Sequence, residues 1–248
     1  MQTVIVTGSS QGVGLGIAQV FLNNGCQVFG VDQKPAPEAL TSNANYRHAI
    51  VDLREQAGCE ATIQGCLSAF GKIDTLVNNA GVGNGKPFFE TSEDDYERFY
   101  SINVRPVLRL CRLAIPELKK TRGSIVNIAS AFGIAGVAVS AGYVPTKSAV
   151  IGITTMLATE FGRDGIRVNA IAPGLIWSPG TDDRIKNNKW WHRMMIEQCP
   201  MGRVGQLEEI GHACAFLASS GASFVNGAVL PVDGGWTVAK FLPQPIEG

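Results

Sequence analysis

The sequence has no Cys-x-x-Cys pair and no histidine cluster at zinc-ligand spacing, so no metal site is expected. Its six cysteines, Cys26, Cys59, Cys66, Cys111, Cys199 and Cys214, are scattered and read as small buried apolar side chains of a reducing compartment. No stretch approaches the roughly 20 apolar residues that cross a bilayer. Met1 runs into Val4-Ile5-Val6 without the basic region and long apolar segment of a secretion signal. Net charge is missing too: 21 Lys and Arg balance 21 Asp and Glu. No long-range field therefore gathers nucleic acid or an anionic membrane. Repeats, low-complexity runs and Pro/Gly/Ser linkers are likewise absent. A cytoplasmic protein with a small-molecule partner is expected, with neither a nucleic-acid nor a membrane partner.

What is present is an alternation of short β-branched runs with longer amphipathic stretches, over 248 residues that suit one open α/β domain. Strands are predicted at 3–7, 27–32, 46–51, 75–78, 124–129, 167–171 and 228–232. Helices are predicted at 13–24, 56–70, 93–118, 143–161 and 207–218. Most strands are apolar without alternation, as in a parallel sheet covered on both faces. The fold class expected is a doubly wound sheet of about seven parallel strands. Residues 173–204 break the pattern, being long and rich in tryptophan and charge. We expect about 175–204 to form a substrate-binding lid.

Thr7-Gly8-Ser9-Ser10-Gln11-Gly12-Val13-Gly14 lies where the first strand becomes the first helix. Glycines there let the backbone approach a pyrophosphate, whose charge is met by free N–H groups at the helix start. Asp32 ends the second strand, where a carboxylate accepts from both hydroxyls of an adenosine ribose and repels a 2′-phosphate. Gln11 and Gln33 are neutral and offer such a phosphate no partner, so NAD is expected over NADP, with Lys34 as the one cation nearby. Asp52-Leu53, after the third strand, is placed at the adenine edge, although an Asp there is also an ordinary helix cap.

Downstream, Ser130 precedes Tyr143-Val144-Pro145-Thr146-Lys147 by thirteen positions. With Asn78-Asn79-Ala80-Gly81, Asn103, the run from Arg167 through Pro173-Gly174 and Val232-Asp233-Gly234-Gly235, these motifs stand in the order and spacing of the short-chain dehydrogenase/reductase family, which the chain resembles along almost its whole length. The resemblance implies a single Rossmann-like domain and hydride transfer between NAD(H) and a secondary alcohol or ketone. It implies Asn103, Ser130, Tyr143 and Lys147 as catalytic residues. Asn79, Ala80, Gly81, Pro173, Gly174, Ile176 and Ser178 would border the cofactor beside Gly8, Ser10, Gln11, Gly12, Val13, Gly14, Asp32, Gln33, Asp52 and Leu53. Lys147 would also hold the nicotinamide ribose, and Asn103 would order a water that returns the proton. A homotetramer, or a homodimer, is implied as well, with helices 93–118 and 143–161 pairing across a two-fold axis.

Free tyrosine has a pKa near ~10, too high for a base at neutral pH. Spacing of four puts Lys147 over Tyr143 on one helical face. A cation at about 4 Å in an effective dielectric of about 20 contributes about 4 kcal/mol to the phenolate, roughly three pKa units. Pro145 is tolerated only in a first turn, so the helix is expected to begin near Gly142. Trp177, Trp190, Trp191, His192, Met194 and Met195, with Asp182, Asp183 and Arg184, suit a cyclic or sugar-like alcohol and equally a hydrophobic ketone. The rival activity is an NADPH-dependent 3-oxoacyl or ketone reductase. The rival class is a non-catalytic dinucleotide-binding regulator. The tail holding Phe241-Leu242-Pro243 is expected on a neighbouring subunit or its own lid.

Overall fold

Strands that are apolar on both faces need cover on both faces, and the computed structural model supplies it. It describes residues 1–83 and 85–239, so Phe241-Leu242-Pro243 and the Arg184 side chain lie outside the described residues. The strands are β1 (Thr3–Thr7), β2 (Gln27–Asp32), β3 (Tyr46–Ile50), β4 (Thr75–Asn78), β5 (Ser124–Ile128), β6 (Arg167–Pro173) and β7 (Val229–Val232). Between them run α1 (Gly12–Asn23), α2 (Glu38–Thr41), α3 (Gln56–Phe70), α4 (Glu93–Asn103), α5 (Arg105–Thr121), α6 (Tyr143–Phe161), α7 (Asp182–Asn187), α8 (Lys189–His192) and α9 (Leu207–Ala218).

All seven strands are parallel, in the order β3-β2-β1-β4-β5-β6-β7. Successive side chains of β1 point to opposite faces. Ile5 joins one buried layer with Cys66, Leu110 and Leu157 of α3, α5 and α6, whereas Val4 and Val6 join the other with Ile17, Phe21 and Ile210 of α1 and α9. The six cysteines are free and buried, and burial pushes the thiols of Cys66 and Cys111 up to about 12. They serve as packing, not as nucleophiles. Among the described residues, no helix is long and apolar enough to cross a membrane.

One expected helix is two. The stretch 93–118 breaks at Val104, whose φ of −117° and ψ of −55° separate α4 from α5. Pro106 is the cause, because it lacks the N–H that would bond to Ile102 and its ring crowds that carbonyl. The break leaves Asn103 at the buried end of α4. Strand β6 continues through Pro173, two residues past its expected end, and carries the chain straight into the cavity described below.

Helices α1 and α9 cross in close contact because neither has a side chain in the way. A Cβ on Gly16 would come within 2.4 Å of Leu207 Cβ and 2.8 Å of its carbonyl carbon. Gly16→Ala is therefore expected to destabilise the fold by about 1–3 kcal/mol, read as a lower urea midpoint with an unchanged slope. An unaltered midpoint would show that the two helices separate freely.

Candidate active site

The chain leaves β1, builds β2 and β3 to one side, then returns to place β4 against β1. A crevice opens at the carboxyl ends of these strands. Thr7 bridges it: its hydroxyl oxygen accepts from the N–H groups of Asn79 and Ala80, both at 2.9 Å. Asn79 Nδ2 donates to Thr7 O at 2.8 Å, so this side chain braces the glycine turn. Gly8 and Gly12 take positive φ, +68° and +55°. Gln11 caps α1 without a side-chain hydrogen bond, and Gly12 and Val13 bring the first-turn N–H groups to the cavity. A Cβ on Gly12 would reach ordinary contact distance, 3.9 Å, from Ser178 Cβ of the opposite wall, so the bare glycine keeps the helix start clear of that wall. That cradle fits a pyrophosphate.

Asp32 stands beside it. Oδ2 accepts from Ser10 N and Oδ1 from Lys34 N, each at 3.1 Å, which fixes the carboxylate and leaves further lone pairs for hydroxyl donors. Lys34 Nζ donates to Gln11 Oε1 at 3.1 Å. Beneath the loop runs a chain that local sequence does not announce: Ser9 Oγ to Tyr46 Oη, Tyr46 Oη to His48 Nδ1, each 3.1 Å, and His48 Nε2 to Lys34 O at 3.0 Å. A carbonyl only accepts, so the network assigns the proton to Nε2 and makes Nδ1 the acceptor of the Tyr46 hydroxyl. Gly30 leaves room for that phenol, since a Cβ there would come within 2.0 Å of it. On the far side, hydrogen bonding from Arg54 holds the Asp52 carboxyl down at about 2, and Gln33 also donates to it. Leu53 is buried.

At the other end, Tyr143 opens α6 and Gly142 precedes it, as Pro145 requires. Ser130 follows β5, and its hydroxyl oxygen accepts from Phe132 N at 3.1 Å. Lys147 is 5 % exposed; its Nζ lies 5.8 Å from the Tyr143 ring centre and donates to Ile128 O at 2.8 Å. Burial pushes this ammonium down to about 8. Burial also pushes the Tyr143 phenol up, with the Ser130 hydrogen bond opposing it. The lysine-depressed tyrosine expected above is thus not found in the protein alone. The ammonium is anchored on a carbonyl, and both groups pay for desolvation.

Asn103 is committed on both ends of its amide: Oδ1 accepts from Val82 N at 2.8 Å, and Nδ2 donates to Val82 O at 3.0 Å and Thr146 Oγ1 at 3.1 Å. It pins the backbone after Gly81 to the first turn of α6. A Cβ on Gly81 would lie 3.1 Å from Asn103 Oδ1 and 3.5 Å from Lys147 Nζ. Across the cavity, Pro173, Gly174 and Ile176 continue from β6, and Trp177 N donates to Gly205 O at 2.8 Å. Ser178 donates its N–H to Thr181 Oγ1 at 2.8 Å and shares its hydroxyl with the same atom.

One cavity of about 970 Å³ runs from Asp32, past Gly12 and Tyr143, to Trp190, Trp191, Met194 and Met195. Of the residues expected at the cofactor or the chemistry, Ser10, Gly14 and Asn103 stand behind the lining and the others line it, whereas Asp182, Asp183 and His192 of 175–204 turn elsewhere. Asp182 accepts from the Trp177 indole at 3.2 Å and pairs with Lys186 at 2.7 Å, Asp183 bonds Asn187 at 2.7 Å, and His192 faces Glu197 at 3.4 Å. Missed in the sequence were Phe99, Phe132 and Trp236, whose rings continue outward from Tyr143.

A family model described as enoyl-(acyl carrier protein) reductase matches residues 8–237. A 3-oxoacyl-(acyl-carrier-protein) reductase of Chlamydia muridarum is 36% identical over 245 residues, spanning 94% of this chain and 96% of that protein. A meso-2,3-butanediol dehydrogenase of Serratia marcescens is 34% identical over 250 residues, spanning 98% and 97%. The crystal structure of a levodione reductase superposes with a TM-score of 0.88 at 32% identity, covering 96% of this chain and 98% of that one. With the glycine cradle and the Ser130, Tyr143 and Lys147 cluster opening onto one cavity, the chain belongs to the short-chain dehydrogenase/reductase family, oxidoreductases that bind a nicotinamide dinucleotide and act on small molecules.

Proposed function

We propose that the protein is an NAD-dependent dehydrogenase of a secondary alcohol, or the reductase of the matching ketone. The observation that carries this is that Asp32 and the Ser130, Tyr143 and Lys147 cluster line the same cavity, one at each end. A nicotinamide dinucleotide held there, by the glycine turn and Asp32, would supply the hydride acceptor or donor. Ser130 and Tyr143 meet the reacting oxygen. In the oxidising direction the Tyr143 phenolate takes the hydroxyl proton, and Ser130 donates to the same oxygen as its charge changes. The Lys147 ammonium supplies the nearby positive charge and is the donor for a ribose hydroxyl, while Asn103 holds the backbone that these groups pack against.

NAD is favoured because Asp32 is fixed by two backbone N–H groups in a position to accept from ribose hydroxyls. The NADPH-dependent 3-oxoacyl reductase reading draws on one specific feature, the Lys34 ammonium on Gln11 beside this carboxylate, and on the name of a relative. Residues 175–204 act in this scheme as the lid of a single domain. Exposed Tyr100, Leu108 and Met156, on α4, α5 and α6, suit the helix pairing of a homotetramer.

Tyr143→Phe should lower turnover at least about 100-fold while fluorescence titration shows NADH binding within a few-fold of the parent. Unchanged turnover would remove Tyr143 from the chemistry, and a parent protein that binds NADH but turns over no alcohol or ketone would be a non-catalytic dinucleotide-binding regulator. Asp32→Ser should weaken NADH binding about 10–100-fold and narrow its advantage over NADPH; an NADPH preference in the parent protein would overturn the role given to Asp32.

The buried Lys147 costs stability. Its folded value of about 8 lies below the ordinary 10.5, so the penalty is fully present below pH 8 and is relieved as pH rises from there towards 10.5. Lys147→Met should accordingly raise the melting temperature most at pH 7 and least near pH 10, with turnover lost. A gain independent of pH would mean that the lysine is not buried as a cation.

A further inference from the structure

We propose that the alcohol or ketone taken by this site is apolar and ring-bearing, not an open-chain polyol or a sugar. The proposal rests on Ser130 and Tyr143 meeting the reacting oxygen, and concerns what surrounds the rest of the substrate. On one side of Tyr143 stands Phe132, ring centres 6.5 Å apart at 77°, with Trp191 at 5.9 Å and Trp236 at 5.6 Å from Phe132, inclined by 39° and 44°. Phe99 stands on the other side at 6.4 Å and 60°; Phe132, Trp190 and Trp191 line the cavity, while Phe99 and Trp236 back the rings that do. Met195 closes the lower wall, only 4 % exposed.

The wall is built before any substrate arrives. The Trp236 indole N–H donates to Met194 O at 2.7 Å, tying the turn after β7 to the segment that carries Trp191. The turn itself is held by Asp233, whose carboxylate accepts from Gly235 N and Thr237 N, both at 2.9 Å. Cys199 Sγ contacts Gly234 O at 3.3 Å and adds a second tie. Flat apolar faces fixed in this way stack on a ring with little loss of freedom, whereas a flexible chain covers less of them and loses more.

Hydrogen-bonding capacity decides against a polyol. Apart from the indoles of Trp190 and Trp191, the polar lining side chains among the described residues at this end are Ser130, Tyr143, Ser140, Lys147, Arg98 and the Ser178 and Thr181 hydroxyls, which bond one another. Ser130 and Tyr143 are taken by the reacting oxygen. Lys147 holds Ile128 O and is otherwise the ribose donor of the proposed function, the Asn103 amide is committed to Val82 and Thr146, and the Thr181 hydroxyl donates to Ile176 O. The remaining hydroxyls of a sugar would face Phe132, Val137 and Met195 without partners, each at a cost of about tenfold.

The test compares cyclohexanol, sorbitol and glucose as substrates with NAD, and titrates cyclohexanone, sorbitol and glucose against the protein's tryptophan emission in the presence of NADH. We expect kcat/KM for cyclohexanol to exceed that for sorbitol or glucose by about 100-fold. Cyclohexanone should perturb the emission at concentrations where the other two do not. Trp191→Ala should cut kcat/KM for cyclohexanol about tenfold and that for 2-propanol by several-fold less; Phe132→Leu, a milder change, should act in the same sense. Sorbitol or glucose equalling cyclohexanol in either readout, or no response to cyclohexanone at all, overturns the proposal. Cyclohexanone binding without turnover of any alcohol retains the pocket assignment and instead defeats the dehydrogenase reading.

Discussion

Two backbone N–H groups converge on one hydroxyl: Asn79 and Ala80 both donate to Thr7 Oγ1. This small clamp sits where the sheet changes direction, and the rest of the site is positioned from it. It holds the end of β4 against the end of β1, so the glycine turn and the Asn79-Ala80-Gly81 run share one crevice. Asn103 then fastens the next residue, Val82, to Thr146. A continuous set of hydrogen bonds thereby links the glycine turn at the start of α1 to the first turn of α6, where Tyr143 and Lys147 reside. Loops at a parallel sheet's carboxyl edge would otherwise be free to drift independently.

The same structure sets opposing electrical demands at its two ends. At one end Asp32 accepts from the N–H groups of Ser10 and Lys34. At the reacting end Lys147 and Tyr143 are buried, and burial favours their neutral forms, moving the lysine down to about 8 and the tyrosine upward. The proposed proton transfer would need the reverse charge state of the tyrosine, with the positive charge of Lys147 and of an oxidised nicotinamide working against desolvation. A site of this kind trades stability for reactivity.

Much of this was legible in the residues because it depends on local rules. Apolar runs marked the seven strands, glycine spacing marked the turn, and Pro145 correctly placed the start of α6. Pro106 carried an equally clear signal for the break at Val104, yet the amphipathic period of 93–118 outweighed it. The Ser9, Tyr46 and His48 chain had no local sign, since its members lie 37 and 2 residues apart and meet only through β2 and β3 pairing. Phe99, Phe132, Trp191 and Trp236 come from four separate connections, so the wall around Tyr143 exists only in three dimensions. The direction of the tyrosine shift was missed for a related reason: helical spacing specifies that Lys147 is near, but not that its ammonium is anchored on Ile128 O.

The central claim is that one cavity joins a ribose-reading carboxylate to a tyrosine that handles the substrate proton. A crystal structure with bound NADH tests it most directly. The account predicts adenosine ribose hydroxyls on Asp32, the pyrophosphate over Gly12, Val13 and Gly14, and the nicotinamide between Ile176 and Tyr143. A dinucleotide lying with its adenosine away from Asp32, or its nicotinamide out of reach of the Tyr143 and Ser130 pair, would contradict it.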